Sequence, residues 1–316
     1  MIPQGVVYLV GAGPGDVGLF TLRGMELLRQ AEVVVYDGLV NPDLLCYAPA
    51  TAEIICADKH DRSRCVSQER INAVLLAKAQ AGKRVVRLKD GDPCMFGRGG
   101  EEAEMLAEAG IAFEVVPGVS SAYSVPAYAG IPLTHRRYNS SVTIATGHEQ
   151  PSAPNRLDWT RLARVPGTLV VLMGLKNLRR ITAALIAGGR APETPTAVIS
   201  HGTTPQQQVV AGTLATIADL LEQTRLPTPA VTVIGEVVNL REKVAWFKPR
   251  NGKSRRVAAG GRLSPGAAMH ATIGVSRPSI GLGELKPAAP EDGRPPAQSL
   301  PVRQVRRAGT LQPVTG

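Results

Sequence analysis

Charged residues and glycines are concentrated between Arg87 and Glu102, where the sequence reads Arg-Leu-Lys-Asp-Gly-Asp-Pro-Cys-Met-Phe-Gly-Arg-Gly-Gly-Glu-Glu. Carboxylates and a guanidinium so close together can bind an ionic ligand and exchange a proton with it. Glycines accept positive φ angles and let a ligand approach the backbone. The stretch therefore predicts a ligand-binding loop, and the alternative is a solvated connection with incidental charges. Five charged side chains lie within the thirteen positions 90–102: Asp90, Asp92, Arg98, Glu101 and Glu102.

Short apolar runs predict the strands that would position this loop and its neighbours. Val85–Leu88 comes directly before the loop, Val6–Val10 comes before a second glycine-rich turn, and Val33–Tyr36 comes before Asp37. Open α/β sheets bind their ligands at the carboxyl ends of such strands. Asp37 is therefore a candidate site residue, and the alternative is an aspartate that caps the next helix.

The second glycine-rich turn, Gly11-Ala-Gly-Pro-Gly-Asp16, resembles the Gly-x-Gly-x-x-Gly fingerprint of dinucleotide-binding proteins. Asp16 occupies the third glycine position, and Pro14 removes a backbone donor inside the turn. These two departures disfavour a nicotinamide or flavin site. A strand-end loop that presents its backbone to another ligand remains the prediction.

Alternating strands and helices predict an α/β fold with a mainly parallel sheet in the first half of the chain. Further strands are expected at Glu53–Cys56 and Phe113–Val116, with helices at Leu19–Gln30, 67–81, from Glu101 to Ala109 and after Ser121. The second half repeats this class of structure more loosely. Its predicted strands are Val142–Thr146, Thr168–Met173, Thr196–Ser200, Gln208–Val210 and Ala230–Ile234, with helices at Asn177–Ala187 and Thr213–Gln223. We predict two α/β domains, residues 1–137 and 138–250, that share one cleft.

The net charge of +10 is unevenly distributed along the 316 residues. Residues 251–316 contain ten Lys or Arg and three Asp or Glu, together with eight Pro and no Phe, Trp or Tyr. Such a tail cannot bury enough apolar surface to offset its ordering entropy, so we predict that it is disordered. The nearly neutral remainder disfavours a nucleic-acid partner, although the basic tail keeps an RNA-binding protein as an alternative.

Other compositional features point to a cytoplasmic protein without metal. The chain has four cysteines, none of them in a Cys-x-x-Cys pair or at a metal-ligand spacing, which indicates reduced thiols. No apolar run approaches the roughly 18 residues of a membrane span, and the N-terminus lacks the features of a signal peptide. We therefore expect no membrane partner.

Six stretches of the chain, taken in order, resemble the tetrapyrrole methylases. They are Val10–Asp16, Val35–Asp37, Val86–Lys89 with Gly91–Pro93, Phe96–Glu102, Val116–Gly118 and Ala129–Arg136. The resemblance covers roughly residues 5–247. It implies two α/β domains with the active site in the cleft between them, a homodimer, and S-adenosylmethionine as methyl donor. It also implies two C-methylations of uroporphyrinogen III, at C2 and C7, giving precorrin-2 for sirohaem, cobalamin or haem d1 synthesis. Because no dehydrogenase or chelatase segment precedes Met1, we expect later steps to need other proteins.

The resemblance also implies roles for individual residues. Asp37 matches the position of the proposed proton acceptor and Lys59 that of the proposed proton donor, while three residues match positions associated with the porphyrinogen: Arg98, Glu101 and Arg136. The alternative for either arginine is a surface position without a ligand. The implied cofactor contacts are Pro14, Gly91, Asp92, Met95, Ser120, Ser121, Met173 and Gly202.

The chain departs from the usual family pattern at a few positions. Asp90 stands where glycine is usual; if the backbone there has positive φ, aspartate costs about 1 kcal/mol. Its charge would also repel an anionic substrate, so we expect Asp90 to lower activity. Asp58 likewise replaces the glycine before Lys59. A later methyltransferase of the corrin ring is the alternative within the family, and the Phe96–Glu102 motif argues against it.

Overall fold

The computed structural model describes residues 5–57, 67–148 and 157–248. Lys59, Asp58 and the tail at 251–316, for which we predicted disorder, lie outside these ranges. The described residues form two five-stranded sheets, both within one compact unit of the chain. They confirm the α/β class predicted from the alternation of apolar runs.

The first sheet is wholly parallel, with strand order β3-β2-β4-β1-β5. Its strands are β1 (Val6–Gly11), β2 (Val33–Tyr36), β3 (Glu53–Cys56), β4 (Arg84–Lys89) and β5 (Ala112–Val116). The helices that follow them are α1 (Leu22–Leu28), α2 (Gln68–Gln80), α3 (Gly99–Glu108) and α4 (Ser121–Tyr128). Short 3-10 helices occupy Val17–Leu19 and Pro42–Tyr47. The predicted mainly parallel arrangement is confirmed for this half of the chain.

Both faces of the first sheet are covered, which explains why its strands read as continuous apolar runs. One face packs on α2 and α3 through residues such as Leu75 and Leu106. The opposite face packs on α1 and the 3-10 helix after β2 through Leu28 and Leu44. The helix predicted from Leu19 to Gln30 is shorter because Thr21 caps α1, its hydroxyl accepting from the amide of Gly24 at 3.1 Å.

The second sheet has strand order β6-β7-β10-β8-β9 and is mostly antiparallel. Only β6 and β7 pair in parallel, whereas β10 lies antiparallel to both β7 and β8, and β8 lies antiparallel to β9. Its strands are β6 (Val142–Thr146), β7 (Thr168–Leu172), β8 (Pro195–Ser200), β9 (Gln208–Thr213) and β10 (Ala230–Ile234). The remaining helices are α5 (Trp159–Leu162), α6 (Leu178–Ala187), α7 (Ile217–Thr224) and α8 (Arg241–Val244), with 3-10 helices at Leu175–Asn177 and Glu236–Leu240.

Helix α4 joins the two halves of the chain. Its residues Ala122 and Val125 pack with Val170, Ile199 and Val233 in one core cluster of the second sheet. Helix α4 therefore packs on the second sheet, although its sequence comes before the predicted domain boundary at 137/138. That boundary stays a prediction. None of the helices in the described ranges is long and apolar enough to cross a membrane.

Candidate active site

Backbone segments from three strand ends meet at the carboxyl edge of the first sheet. The amide of Gly13 donates to the carbonyl of Gly91 at 3.1 Å, and the amide of Gly91 donates back to Gly13 at 2.9 Å. The loop after β5 approaches so closely that a Cβ on Gly118 would lie 2.1 Å from the Gly91 carbonyl oxygen. A Cβ on Gly11 would lie 2.5 Å from Gly118 Cα. Side chains are excluded here, so the edge is lined by backbone.

Asp92 fixes two of these loops relative to each other. Its Oδ1 accepts from the amide of Cys94 and its Oδ2 from the amide of Gly118, both at 2.9 Å. A carboxylate that accepts two backbone amides holds a loop in one conformation. Asp92 therefore shapes the predicted cofactor site, and a direct contact between its carboxylate and the cofactor stays a prediction.

A Cβ would fit beside the backbone of Gly91 in ordinary van der Waals contact with the start of α4. Gly91 has φ +62°, and the nearest atoms to a Cβ built there are Ser121 N at 3.7 Å and Ser120 Cα at 3.8 Å. Ser120 is buried and caps α4, its hydroxyl accepting from the amide of Ala122 at 3.2 Å. The space between Gly91 and the start of α4 is a cradle that a side chain at position 91 would fill, which fits the binding of an extended ligand at the predicted cofactor residues.

The loop after β1 reaches the second sheet. The Asp16 amide donates to the hydroxyl of Thr203 at 3.2 Å, and a Cβ on Gly15 would lie 2.7 Å from Thr204 Cγ2. Gly202 packs directly on α4, since a Cβ there would lie 2.3 Å from Val125 Cγ1. Pro14 and Gly202, both predicted to contact the cofactor, therefore belong to loops that touch each other.

Several residues other than glycine have positive φ angles, and most of them lie just after strands of the two sheets. Positive φ is rare for residues other than glycine, and it concentrates at functional sites. Among the described residues it occurs at Phe96 and Arg98 after β4, Met173 after β7, His201 and Thr203 after β8, and also at Arg225. Met95, Phe96 and Met173 are also exposed apolar side chains. Met95 and Met173 were predicted to contact the cofactor, and exposed apolar side chains suit a nucleoside and a thioether; that contact stays a prediction.

A buried ionic cluster lies beneath this edge, and the sequence reasoning missed it. Arg87, Lys89 and Glu102 are 1%, 2% and 0% exposed, respectively. The Oε1 atom of Glu102 lies 3.1 Å from both Arg87 Nε and Lys89 Nζ. Burial, together with the neighbouring Arg87 guanidinium, lowers the pKa of Lys89. Two cations alternating within an otherwise apolar strand are the sequence signal that could have indicated this cluster.

Arg87 connects the buried cluster to Asp37. Its Nη2 lies 2.5 Å from Asp37 Oδ1, and the Asp37 amide donates to the Leu88 carbonyl at 3.1 Å. The next 3-10 helix is capped by Asn41, so the alternative that Asp37 caps it is wrong. The structure thus presents a partly exposed carboxylate, oriented by a buried guanidinium, at the carboxyl end of β2.

Asp90 lies one residue beyond β4, beside Asp37. The residue with positive φ is the adjacent Gly91, so the condition for backbone strain at position 90 is not met. Burial, followed by the nearby charge of Asp37, raises the pKa of Asp90 to about 7. Near neutral pH the side chain is partly protonated, which weakens the expected repulsion of an anionic substrate.

The residues predicted to contact the substrate are exposed: Arg98 and Glu101 lie at the start of α3, and Arg136 lies on a loop. Arg98 begins α3, and its Nε lies 3.4 Å from Glu101 Oε1 with both side chains about half-exposed. Arg136 is exposed in the turn between His135 and Asn139. Among the described residues no hydrogen bond or ion pair joins Arg136 to the Arg98–Glu101 pair, so its role stays a prediction. Within the same ranges no group of three or more His, Cys, Asp and Glu side chains could hold a metal ion.

Comparison with known proteins gives the same family as these motifs. The chain is 53% identical over 239 residues to the S-adenosyl-L-methionine-dependent uroporphyrinogen III methyltransferase of Methanosarcina barkeri, covering 75% of this chain and 94% of that protein. It is 54% identical over 243 residues to siroheme synthase 2 of Yersinia pestis, covering 77% of this chain and 51% of the relative. The chain thus spans about half the length of the siroheme synthases it matches.

A solved structure and a family profile extend the comparison. The uroporphyrin-III C-methyltransferase of Thermus thermophilus, crystallised with S-adenosyl homocysteine, is 40% identical, with a TM-score of 0.64 and coverage of 74% of this chain and 99% of that one. The profile of the Tetrapyrrole (Corrin/Porphyrin) Methylases matches residues 6–218. Together with the glycine-lined strand ends, these matches establish that the chain belongs to the tetrapyrrole methylase family.

Proposed function

We propose that this protein transfers methyl groups from S-adenosylmethionine to C2 and C7 of uroporphyrinogen III and so forms precorrin-2. The observation that carries the proposal is the 53% identity to the Methanosarcina barkeri enzyme across 94% of that enzyme's length. The names of the relatives favour a product that serves sirohaem synthesis. A later corrin-ring methyltransferase is the alternative, and the Phe96–Glu102 motif that disfavours it stands complete at the start of α3.

The cofactor residues act by holding and orienting the donor. When bound, S-adenosylmethionine supplies an electrophilic methyl group on a sulfonium sulfur. The backbone at Gly91 and Pro14 would hold the donor against the start of α4, while Met95 and Met173 would cover its apolar parts. Methyl transfer then depends on alignment of the ring carbon with the methyl group, which rigid backbone contacts favour. The other proposed contacts are Asp92, Ser120, Ser121 and Gly202.

Asp37 is suited to proton removal. A ring carbon that gains a methyl group becomes part of a cation, and the ring must then lose a proton to a base. The Asp37 carboxylate is held by Arg87 Nη2, which fixes its orientation and compensates its charge. The proposed proton donor, Lys59, lies outside the described residues.

Exposed cationic side chains are suited to the acidic substrate. A guanidinium can bind a carboxylate through two parallel hydrogen bonds. Arg98 is half-exposed, and it pairs with Glu101 at 3.4 Å, a separation at which a substrate carboxylate can take the place of Glu101. We propose that Arg98 and Arg136 bind carboxylates of the substrate and that Glu101 orients the side chain of Arg98.

The test is incubation of the protein with uroporphyrinogen III and methyl-labelled S-adenosylmethionine, beside parallel reactions with a later corrin-ring intermediate and with RNA. We expect label in a tetrapyrrole whose mass has increased by two methyl groups. Label in the later intermediate alone would favour the alternative within the family. Label in the RNA alone would overturn the proposal altogether.

We also propose that the protein acts in the cytoplasm as a homodimer, as the family resemblance implies. Light scattering of the purified protein measures its molar mass directly. A mass of one chain at working concentration would contradict the dimer. Cell fractionation would test the compartment, and recovery outside the cytoplasmic fraction would contradict it.

A further inference from the structure

The carboxyl ends of β2 and β4 bring two aspartates together. The strands pair in parallel with Tyr36 opposite Leu88, so Asp37 and Asp90 both lie just beyond the paired segment. Paired strands are about 4.8 Å apart. Asp37 and Asp90 therefore lie at the ends of two neighbouring strands, on the same edge of the sheet. The backbone hydrogen bond from Asp37 to the Leu88 carbonyl fixes their relative position.

The two carboxyls have different surroundings. Asp37 is held by Arg87, whereas no hydrogen bond or ion pair of the Asp90 side chain is found among the described residues. The two buried cations of β4, Arg87 and Lys89, both form ion pairs with Glu102 of α3. Within the described part of the chain, Asp90 therefore faces the charge of Asp37 on the β2 side without a cation of its own.

The described segments after β1 and β5 add no charge that would compensate Asp90. On the β1 side the neighbouring segment is Gly11–Gly13, which has no titratable side chain. In the loop after β5, Pro117 to Ser120 also lacks one, and Asp92 is occupied by two backbone amides. Within the described ranges, Asp90 is thus a half-buried carboxyl that stabilises nothing visible in the fold. A carboxyl that the fold does not use, placed at a strand end beside a second carboxyl, is a candidate for a functional role.

We propose that Asp90 is a second proton-accepting carboxyl, which acts beside Asp37 in the methylation assigned above and therefore rests on that proposed function. In each methylation the ring carbon donates an electron pair to the methyl carbon, the carbon–sulfur bond breaks, and its electron pair stays on sulfur. The ring cation then releases one proton. The carboxylate pair accepts this proton and passes it to water before the second methylation.

The protonation equilibrium of Asp90 supports this role. Since burial and the charge of Asp37 raise its pKa to about 7, Asp90 exchanges protons near neutral pH. A general base is most effective when its pKa lies near the working pH. A glycine at this position could not take part in proton transfer, so Asp90→Gly removes the group without adding another.

The test compares wild type with Asp90→Asn and Asp90→Gly in single-turnover methylation of uroporphyrinogen III between about pH 5.5 and about pH 9. In wild type we expect a rate that rises with pH and levels off near pH 7. Both variants should lose this rise and be slower by about tenfold or more at pH 8. Their affinity for S-adenosylhomocysteine, measured by calorimetry, should stay within about twofold of wild type, which also shows that they fold. The exposed Asp43→Asn is the matched control and should keep the wild-type profile.

The possible failures are distinguishable. If wild type transfers no methyl group to uroporphyrinogen III at any pH, the proposed function is wrong and this inference falls with it. If wild type is active and both variants keep its rate and its pH profile, the proposed function stands and the role of Asp90 is overturned. A rate increase in Asp90→Gly at every pH would overturn it as well, and would support the sequence-based expectation that Asp90 lowers activity.

Discussion

The hydroxyl of Tyr128 donates to Oδ2 of Asp16 at 2.9 Å, which ties the last turn of α4 to the loop after β1. The same Asp16 uses its Oδ1 to cap the following 3-10 helix at Gly18. One aspartate thus connects the first sheet to a helix that packs on the second. This explains why the residue stands where a dinucleotide-binding loop would have its third glycine.

Tyr128→Phe should reduce the free energy of unfolding by about 0.5–1.5 kcal/mol, because a hydrogen bond is lost and Asp16 keeps its other partner. Burial and the bond to Asp16 raise the pKa of Tyr128 to about 12, above its ordinary value of 10.0. The bond therefore contributes fully below about pH 10 and is lost as pH rises towards 12. Urea unfolding at several pH values measures both effects. Tyr123→Phe, an exposed tyrosine of the same helix, is the control and should change stability little.

Arg87→Met should be strongly destabilising. It leaves Asp37 without its guanidinium and Glu102 with Lys89 as its remaining cation. Removal of one partner from a buried ion pair typically costs about 3–5 kcal/mol. Methyl transfer should fall further than the folded fraction does, because Asp37 loses its orientation. Arg23→Met is the contrast, since Arg23 pairs with Glu26 and Glu114 at the surface and should cost about 1 kcal/mol or less. Equal losses in the two variants would contradict the buried network.

Gly91→Val should abolish donor binding. A branched side chain at φ +62° strains the backbone by about 1–2 kcal/mol and fills the cradle beside α4. The matched control is Gly110→Val, since Gly110 has φ +68°, would have nothing within 4 Å of an added Cβ, and lies at the far end of α3. Calorimetry with S-adenosylhomocysteine should show loss of binding in the first variant only. Wild-type affinity in Gly91→Val would refute the cofactor placement.

Arg98→Lys should lower kcat/KM for uroporphyrinogen III about tenfold or more, because it keeps the charge but loses a bidentate contact worth about 1.5–3 kcal/mol. Donor affinity should be unchanged. Arg161→Lys provides the control, as Arg161 also forms an exposed pair with an acidic residue three positions away, Asp158, at 3.1 Å. Steady-state kinetics measure kcat/KM for uroporphyrinogen III in both variants. Equal values would show that Arg98 is only a surface residue.

Asp90→Asn should change how stability depends on pH. Because burial raises the pKa of Asp90 to about 7 from 3.8, the folded state holds the proton more tightly than the unfolded chain. Wild type therefore loses stability relative to the variant as pH rises from about 4 to about 7. Above pH 7 the variant should be more stable by about 1–2 kcal/mol, which allows for partial access of water to the carboxyl. A difference that does not vary between pH 4 and pH 8 would contradict the raised pKa.

Local sequence patterns predicted most strands because each apolar run is short and ends at glycine, proline or a charged residue. Val142–Thr146 and Ala230–Ile234 are found with the predicted bounds. The antiparallel pairing of β8, β9 and β10 was not predictable in the same way. Pairing direction depends on where a chain turns in space, and β8 and β10 are buried on both faces, so they read like parallel strands.

The candidate site was predictable only where glycine patterns mark it. Gly91 and Gly118 stand out in the sequence, whereas Arg87 and Lys89 look like surface charges until α3 places Glu102 against them. The meaning of Asp90 could not be read from its type alone. Its backbone conformation decides whether it is a strained substitution, while its burial and the charge of Asp37 raise its pKa. All of these are properties of the folded chain.

The glycine contacts at the edge of the first sheet limit how this enzyme can be altered. At Gly11 and Gly118 any side chain would meet backbone atoms at 2.5 Å or less, so randomised libraries at these positions should return glycine alone. Engineering for synthetic donor analogues with larger alkyl groups must therefore change other positions. Met173, one of the proposed cofactor contacts, is the natural starting point, since the residue is 52% exposed and belongs to none of the core clusters of the described residues.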